Sequence, residues 1–276
     1  MTVKHWLAQA AKELEQSGIS TARLDCLVLL EDVTQRDRAW LLAHDDTEIE
    51  SNQLAKLKKL LNIRAQHVPL AYVRGKTEFY GRNFVVSPAV LEPRPESEKM
   101  IDQLKKLFDD GLLPAKGHKK TYLADVGTGS GALGITAFKE VDNLAVELLE
   151  IDKKALGIAQ INVDLLTPSI SVIQSDLLSN SNQPNDVLLC NLPYVPDDFQ
   201  INLAAKHEPR LAIFGGPDGL SLYRKLFKQV KNRQNRPLFI LTESLPAQHK
   251  DLNAIAEQSG YTLHAAEDFI QVFRAN

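Results

Sequence analysis

Apolar residues recur at helical spacing along the first 70 or so positions of the chain. Residues three and four positions apart share one face of an α-helix, so each such stripe predicts a helix that buries that face. Three stripes occur, formed by Trp6, Leu7, Ala10 and Leu14, by Leu24, Leu27 and Val28, and by Leu54, Leu57 and Leu61. The region predicts a small helical bundle with these stripes in its core, and with Trp6 and Trp40 in the core or facing a partner.

A different pattern begins at Leu104, where short apolar runs alternate with helical stretches. Strands are predicted near 121–126, 144–150, 170–174, 185–190 and 236–242, and helices near 131–140, 153–165, 217–232 and 247–259. Such alternation is typical of a mostly parallel sheet with helices on both faces. Residues 261–264 and 269–274 predict a final antiparallel pair. The alternating segment 78–90, which carries Gly81, predicts a hairpin between the two regions.

A glycine-rich loop follows the first predicted strand of the second region. Residues 127–134 read Gly-Thr-Gly-Ser-Gly-Ala-Leu-Gly and lead into a helical stretch. Glycines let the backbone approach a ligand closely, and the start of the following helix presents free N–H groups. Glu150 ends the next strand about 20 residues later, where a carboxylate can accept ribose hydroxyls. These features predict a nucleotide-containing ligand, and they fit an NAD enzyme as well as other classes.

The ends of the third and fourth strands separate these classes. Asp176 follows the third strand, where it could accept from an adenine amino group, and residues 191–194 after the fourth read Asn-Leu-Pro-Tyr. The Asn191 side-chain oxygen and the Leu192 carbonyl can accept the two N–H groups of a planar NH2, while Tyr194 lies against it. Pro193 stiffens the loop because its φ is fixed. A hydride-transfer enzyme has no use for this pair of acceptors, so the pattern predicts an amino-group methyltransferase.

The chain resembles the release-factor glutamine methyltransferases, also called HemK- or PrmC-like, over nearly its whole length. The specific segments are 78–86, 91–98, the glycine loop, 191–194, and 208–210 leading to 215–220. The chain departs from the usual family pattern at Leu192, where Pro is common, and at Ser97, where Thr is common. Asn-Leu-Pro-Tyr is also typical of adenine dimethyltransferases acting on ribosomal RNA, whereas the Pro-Arg-Pro-Glu segment and the amino-terminal region fit only the glutamine-modifying family.

The resemblance implies a fold, a cofactor and a substrate. The fold is a class I methyltransferase, Rossmann-like, with a mostly parallel seven-stranded sheet, a small N-terminal helical bundle and a connecting β-hairpin. The implied divisions are a substrate-recognition domain over 1–72, a hairpin linker over 73–98 and a catalytic domain over 99–276. The cofactor is S-adenosylmethionine, and the acceptor is the side-chain amide of the Gln in the Gly-Gly-Gln motif of a release factor.

The resemblance also implies roles for individual residues. Catalytic roles fall to Asn191, Leu192, Pro193 and Tyr194, which also contact the substrate together with Arg94, Glu96 and Glu208. Arg94 and Glu96 could instead form a structural ion pair. Cofactor contacts are expected from Asp125, Gly127, Thr128, Gly129, Ser130, Gly131, Glu150, Asp176, Leu177 and Asn191.

Composition narrows the remaining alternatives. The chain has 276 residues, 44% of them hydrophobic, which is enough for two domains, and its net charge of −3 disfavours a protein that holds nucleic acid by its phosphates. A ribosomal-protein glutamine methyltransferase, an adenine methyltransferase acting on RNA and a cofactor-binding module without activity stay open.

The sequence also gives expectations for the location of the protein in the cell, for its cysteines and for metal binding. Without a signal peptide or a run of 18 apolar residues, we expect a cytosolic protein with no membrane contact. Cys26 and Cys190 are expected in the core, no metal is expected because no His pair has ligand spacing, and 108–120 predicts a flexible connector.

Overall fold

The computed structural model describes residues 1–113, 120–167 and 169–276. These residues form two compact units, one of Met1–Lys76 with Ile201–His207 and one of Thr77–Gln200 with Glu208–Asn276. Six of the thirteen positions of the predicted connector over 108–120 lie outside the described residues, and its first two positions belong to a helix. No helix in the described ranges is long and apolar enough to cross a membrane.

The first unit is helical, as its apolar stripes predict. It contains α1 (Val3–Gln16), α2 (Ala22–Thr34), α3 (Arg38–Ala43), α4 (Ser51–Arg64) and α5 (Leu70–Arg74). The stripe along α1 is buried throughout, and Leu57 and Leu61 of α4 join the same core. Trp40 is partly buried against this core, and its ring stacks on that of His44.

The buried face predicted for α2 is only partly right, since Leu27 of the predicted stripe is buried but Leu24 is not. Leu24 is 48% exposed, whereas Cys26, Leu29 and Leu30 are fully buried. The buried face runs through Asp25, and this polar residue hides the stripe from a reading of apolar positions alone. Asp25 can be buried because Arg64 of α4 donates from Nε to its Oδ2 at 2.7 Å.

A β-hairpin lies at the start of the second unit in chain order. It pairs β1 (Lys76–Phe79) with β2 (Arg82–Val85), so it starts and ends earlier than segment 78–90. Tyr80 and Gly81 at its tip have φ of 50° and 70°, as in the primed turns that match the twist of two antiparallel strands. Two residues with positive φ are a compact way to reverse a chain, and Gly81 at one of them supplies the turn signal in the sequence.

The second unit alternates strands and helices almost where the sequence predicts them. Its helices are α6 (Glu98–Asp109), α7 (Ala132–Glu140), α8 (Lys153–Leu166), α9 (Ser221–Lys231) and α10 (His249–Glu257). Its strands are β3 (Thr121–Val126), β4 (Leu144–Glu150), β5 (Ser171–Gln174), β6 (Val187–Cys190), β7 (Phe239–Glu243), β8 (Tyr261–Glu267) and β9 (Ile270–Ala275). Short 3₁₀ turns occupy Pro95–Ser97, Ala205–His207, Arg210–Ala212 and Pro246–Gln248.

These seven strands form one sheet in the order β5–β4–β3–β6–β7–β9–β8. Neighbours among β3 to β7 run parallel, and β9 pairs antiparallel with both β7 and β8. The prediction of a mostly parallel sheet with a terminal antiparallel pair is confirmed. From β3 the chain builds outward to β5 and then returns to place β6 on the other side of β3, which creates a switch point between β3 and β6. Ligands of such sheets bind beside the carboxyl ends of the strands at that point.

Candidate active site

A cavity of about 250 Å³ opens at the carboxyl ends of β3, β4 and β6 and beside the loop after β5. Its walls include the glycine loop, the acids at the strand ends and the segment after β6. Among its lining residues are Asp125, Gly127, Thr128, Gly129, Ser130, Glu150, Asp176, Leu177, Asn191, Leu192 and Pro193. Eleven residues chosen from the sequence therefore surround one cavity, although they span 69 positions of the chain.

The glycine loop is bonded to the end of β4. Backbone N–H groups of Gly127 and Thr128 donate to the Leu149 carbonyl at 2.8 and 3.0 Å. The Gly129 N–H donates to Oε2 of Glu150 at 2.9 Å, and the other oxygen accepts from the backbone of Ile151 and Asp152. Three backbone donors thus fix the Glu150 carboxylate at the wall of the cavity, and an ionised carboxylate keeps further lone pairs for a ligand.

Asp125 supports the loop from below. Its Oδ2 accepts from the Thr128 hydroxyl at 2.5 Å and from the Gly134 N–H at 2.8 Å. The side chain is buried, which raises the pKa of this carboxyl to about 6, with a smaller contribution from the charge of Glu150. Its hydrogen bonds join both ends of the glycine loop.

Asn162 of α8 ties the same loop to the hairpin. Its amide bonds both backbone groups of Val85 and donates to the Ser130 carbonyl at 2.8 Å. The residue is fully buried. Nothing in the sequence marked Asn162, since its only signal is a polar residue on the apolar face of a helix.

Asp176 lies at the far wall in an ion pair with Lys225 of α9. Leu177 beside it has φ of 53°, which turns the backbone sharply after β5. Lys225 also lines the cavity and was not expected from the sequence. The lysine gives this end of the cavity a cation next to the acid.

The segment after β6 is held through a chain of side-chain hydrogen bonds. Nδ2 of Asn191 donates to the Ser97 hydroxyl at 2.9 Å, and that hydroxyl donates to Oε2 of Glu243 at 2.6 Å. The Tyr194 hydroxyl donates to the other oxygen of Glu243 at 3.1 Å. Asn191 Oδ1 accepts no hydrogen bond from the described residues, so it is left available on a residue that lines the cavity.

The backbone of this segment is packed tightly against residues 215–219. A Cβ on Gly219 would lie 1.9 Å from the Tyr194 carbonyl oxygen, and one on Gly215 would lie 2.2 Å from that of Pro193. Gln248 donates from Nε2 to the Tyr194 carbonyl at 2.8 Å. Leu192 is buried, and its side chain lies over Gly127. These contacts leave the segment little room to move.

Arg94 and Glu208 form an ion pair at 2.6 Å, from Nη2 to Oε1. Burial raises the pKa of Glu208, and Arg94 opposes that change. The second oxygen of Glu208 is buried and has no hydrogen-bond partner among the described residues. Glu96 is exposed, and Arg94 also lies 3.6 Å from Glu92.

The parts of this site that sequence reasoning missed are Lys225, Asn162, Glu243 and the role of Ser97. Glu243 carries a signal that could have found it, because it is an acid at the end of β7 and so at the same edge of the sheet as Glu150 and Asn191. Ser97 was noted only as a departure from the usual Thr. A hydroxyl is what both residue types share at that position.

The fold and the cavity define a class I methyltransferase that uses S-adenosylmethionine. The cavity fits that cofactor by its lining: the backbone of the glycine loop, an acid fixed at the end of β4, and Asp176 after β5. Solved methyltransferases share this fold. The catalytic domain of human Mettl16 in complex with an RNA hairpin aligns with a TM-score of 0.55 at 12% identity, covering 82% of each chain. A methyltransferase from Pyrococcus furiosus aligns at 0.50 and 16% identity, covering 81% of this chain and 97% of that one.

Sequence comparisons identify the family within that class. The PrmC N-terminal domain matches residues 5–75 and the methyltransferase small domain matches residues 97–208. The release factor glutamine methyltransferase of Koribacter versatilis is 34% identical over 83% of this chain and 81% of its own length. That of Bacillus subtilis is 30% identical over 88% and 84%, and that of Coxiella burnetii 30% over 92% and 91%. The chain belongs to the release factor glutamine methyltransferase family.

Proposed function

We propose that this protein transfers a methyl group from S-adenosylmethionine to the side-chain amide nitrogen of the Gln in the Gly-Gly-Gln motif of a peptide chain release factor. The observation that carries the proposal is the orientation of Asn191. Its nitrogen is bonded to Ser97, so its oxygen is the free end at the cavity. Combined with family membership, this favours a primary amide as the acceptor group.

Asn191 and Leu192 hold the amide in this mechanism. One amide N–H donates to Asn191 Oδ1 and the other to the Leu192 carbonyl, which draws electron density onto the nitrogen. Tyr194 packs against the flat amide, while its own hydroxyl stays bonded to Glu243. S-adenosylmethionine would supply the methyl group from a positively charged sulfur and leave as the neutral thioether, while the amide nitrogen that gains the methyl group loses one proton. The chain's contribution is therefore to orient two reacting groups within one cavity, and such orientation can lower a reaction barrier by several kcal/mol.

The cofactor would be held by the residues that line the other walls. Glu150 would accept ribose hydroxyls, since three backbone donors fix its carboxylate and leave it unfilled lone pairs. Asp176 would accept from the adenine amino group, with Leu177 at the turn beside it. Gly127, Thr128, Gly129 and Ser130 line the cavity and would contact the cofactor by backbone groups, with Asp125 beneath them. Gly131 does not line the cavity but ends the same loop at the start of α7, where we propose that it completes the contact.

Arg94, Glu96 and Glu208 would contact the backbone around the acceptor Gln. Glu208 has a buried oxygen without a partner, which is a site for a peptide N–H, while Arg94 neutralises the carboxylate. Pro193 would keep the neighbouring loop rigid.

The helical region over 1–72 would grip the release factor, the hairpin region 73–98 would link it, and 99–276 would carry out the reaction in the cytoplasm. Helices packed around an apolar core offer a surface for a protein partner, and the negative net charge gives nucleic acid little to bind.

Mass spectrometry tests the substrate. The protein is incubated with methyl-labelled S-adenosylmethionine and purified release factor, and with the same factor carrying Asn in place of the Gly-Gly-Gln glutamine. We expect one methyl group on that Gln and none on the variant factor. In a second reaction, ribosomes replace the release factor. Label in a ribosomal protein would assign the chain to a ribosomal-protein glutamine methyltransferase, and label in RNA adenine would assign it to an adenine methyltransferase.

A further inference from the structure

A buried carboxylate lies behind the amide-holding segment without lining the cavity. Glu243, the last residue of β7, is 1% exposed, and it is absent from the described residues that surround the cavity. Its Oε2 accepts from Ser97 at 2.6 Å and its Oε1 from Tyr194 at 3.1 Å. Burying an acid is costly unless its oxygens are bonded, and here one carboxylate joins two separate parts of the chain at the site.

The direction of these bonds decides how Asn191 is oriented. The Ser97 hydroxyl donates its single hydrogen to Oε2 of Glu243, so it has no hydrogen left for Asn191. Ser97 can then only accept from Asn191, and of the two ends of an amide only the nitrogen can donate. The oxygen of Asn191 is consequently turned away from Ser97. Without the carboxylate, the hydroxyl could donate to Asn191 Oδ1 and the amide could turn over, because its two ends have nearly the same shape.

We infer that Glu243 and Ser97 are positioning residues that fix the Asn191 amide with its oxygen toward the substrate. They act through Asn191, and Glu243 also holds the hydroxyl end of Tyr194. The inference rests on the proposed function, since it concerns the group that would hold the acceptor amide.

The contribution of Ser97 is tested by a double-mutant cycle with Asn191. Ser97→Ala should lower kcat by about tenfold, the effect of one lost hydrogen bond, with little change in cofactor affinity. In an Asn191→Ala background, Ser97→Ala should lower kcat hardly further, because the residue through which it acts is gone. Ser97→Thr should restore most of what Ser97→Ala loses, since Thr keeps the hydroxyl.

Glu243→Gln tests whether the carboxylate sets the direction of the Ser97 hydroxyl hydrogen. A carboxamide can donate as well as accept, so it no longer forces the Ser97 hydroxyl to point one way, and kcat should fall by about tenfold. Glu147→Gln is the matched control, because Glu147 is also fully buried and also accepts from a serine, Ser181, that in turn accepts from an asparagine, Asn185. Glu147 belongs to no part of the site. The control should lower stability without the fall in kcat.

The acceptor in both tests is the intact release factor, with cofactor affinity and melting temperature measured for each variant. Losses that multiply in the Ser97 and Asn191 double variant, or a Ser97→Thr variant as slow as Ser97→Ala, would overturn the positioning role. So would equal losses of kcat in Glu243→Gln and Glu147→Gln. A wild-type enzyme that leaves the release factor unmethylated would instead contradict the proposed function, so the two failures are distinguishable.

Discussion

Asn191 has one end bonded to the protein and one end free, and these ends serve different purposes. Replacing Asn191 by Ala removes the proposed acceptor oxygen and leaves in place the residues proposed to bind the cofactor. We expect Asn191→Ala to lower kcat by about 10²–10³-fold, which is typical for the loss of one oriented hydrogen-bonding group in a transition state. Single-turnover rates and calorimetric cofactor binding would be measured together. A loss of cofactor affinity as large as the loss of rate would contradict this division of roles.

Glu150 lines the cavity, and we propose that it binds the cofactor there. A ligand at 100 times its Kd adds about 2.7 kcal/mol, or roughly 5–10 °C in Tm for a domain of this size. We expect S-adenosylmethionine to give such a shift, NAD to give none, and Glu150→Ala to reduce the shift strongly. Glu150→Gln keeps one acceptor oxygen, so its shift should lie between those of Ala and wild type. A full shift in Glu150→Ala would show that this carboxylate does not bind the cofactor.

Asp125 makes stability depend on pH. Its folded-state pKa of about 6 lies above the ordinary value of 3.8, so between these values the folded chain binds more protons than the unfolded chain. Stability therefore falls as pH rises through that window, by up to about 3 kcal/mol for a rise in pKa of about two units. Asp125→Asn keeps an acceptor oxygen but does not titrate.

The difference in unfolding free energy between Asp125→Asn and wild type should shift in favour of the variant as pH rises from 4 to 6, without cofactor. Denaturant titrations of both proteins across this range measure it. A constant difference would mean that Asp125 titrates at its ordinary value in the folded chain.

At the scale of elements, residues 215–219 act as a support for the loop after β6. Gly219 has φ of 78° and the Tyr194 carbonyl directly above it. An alanine there must both adopt a left-handed backbone, at about 1–2 kcal/mol, and displace that carbonyl. We expect Gly219→Ala to destabilise the protein by more than this strain alone and to lower kcat.

Gly81→Ala is the control for the backbone strain in Gly219→Ala. Gly81 has φ of 70°, but a Cβ there meets nothing within 4 Å. Equal effects of the two substitutions on unfolding free energy and kcat would mean that the close approach at Gly219 is unimportant.

The sequence predicts most of the second unit because its signals are local. A buried strand such as β3 is a continuous apolar run, and the loop after it is marked by glycines that the turn itself requires. Four strand ends then carry Gly127, Glu150, Asp176 and Asn191, and parallel strands bring their carboxyl ends to one edge. The cavity could therefore be predicted before any contact was known.

Other features depend on contacts between distant residues and leave no local trace. Ser97 and Glu243 are 146 positions apart, so nothing in the sequence around either residue indicates that they form a hydrogen bond. The buried face of α2 was misplaced in part because Asp25 interrupts it, and the partner of Asp25, Arg64, is 39 positions away. Buried polar residues are accepted by a fold only with their partners, and periodicity does not identify partners.

At the scale of the whole molecule, Ile201–His207 belongs to the first unit although it follows the segment 191–194 closely. His207 bonds the Gln66 carbonyl through Nε2 at 3.0 Å. A truncation that removes only 1–76 therefore strips this short segment of its neighbours. The sharper design also replaces 201–207 with a Gly-Ser linker of equal length.

The variant with 1–76 deleted and 201–207 replaced should keep cofactor binding while raising KM for the whole release factor far more than for a short peptide containing Gly-Gly-Gln. Thermal shifts with S-adenosylmethionine and steady-state rates with both acceptors measure the two effects. An equal rise in KM for peptide and factor would argue against recognition by the helical unit. The variant that lacks only 1–76 should be cleaved by proteases around 201–207 more readily than the wild-type protein.

The return of the chain to its first unit also constrains how such proteins can arise by gene fusion. A recombination that appended Met1–Lys76 to another methyltransferase would deliver the helices without Ile201–His207, which is encoded in the middle of the second unit. The bundle would then lack a piece of itself, and its new host would need a matching insertion after the fourth strand of its sheet. A single breakpoint after Lys76 therefore does not carry the whole of the first unit.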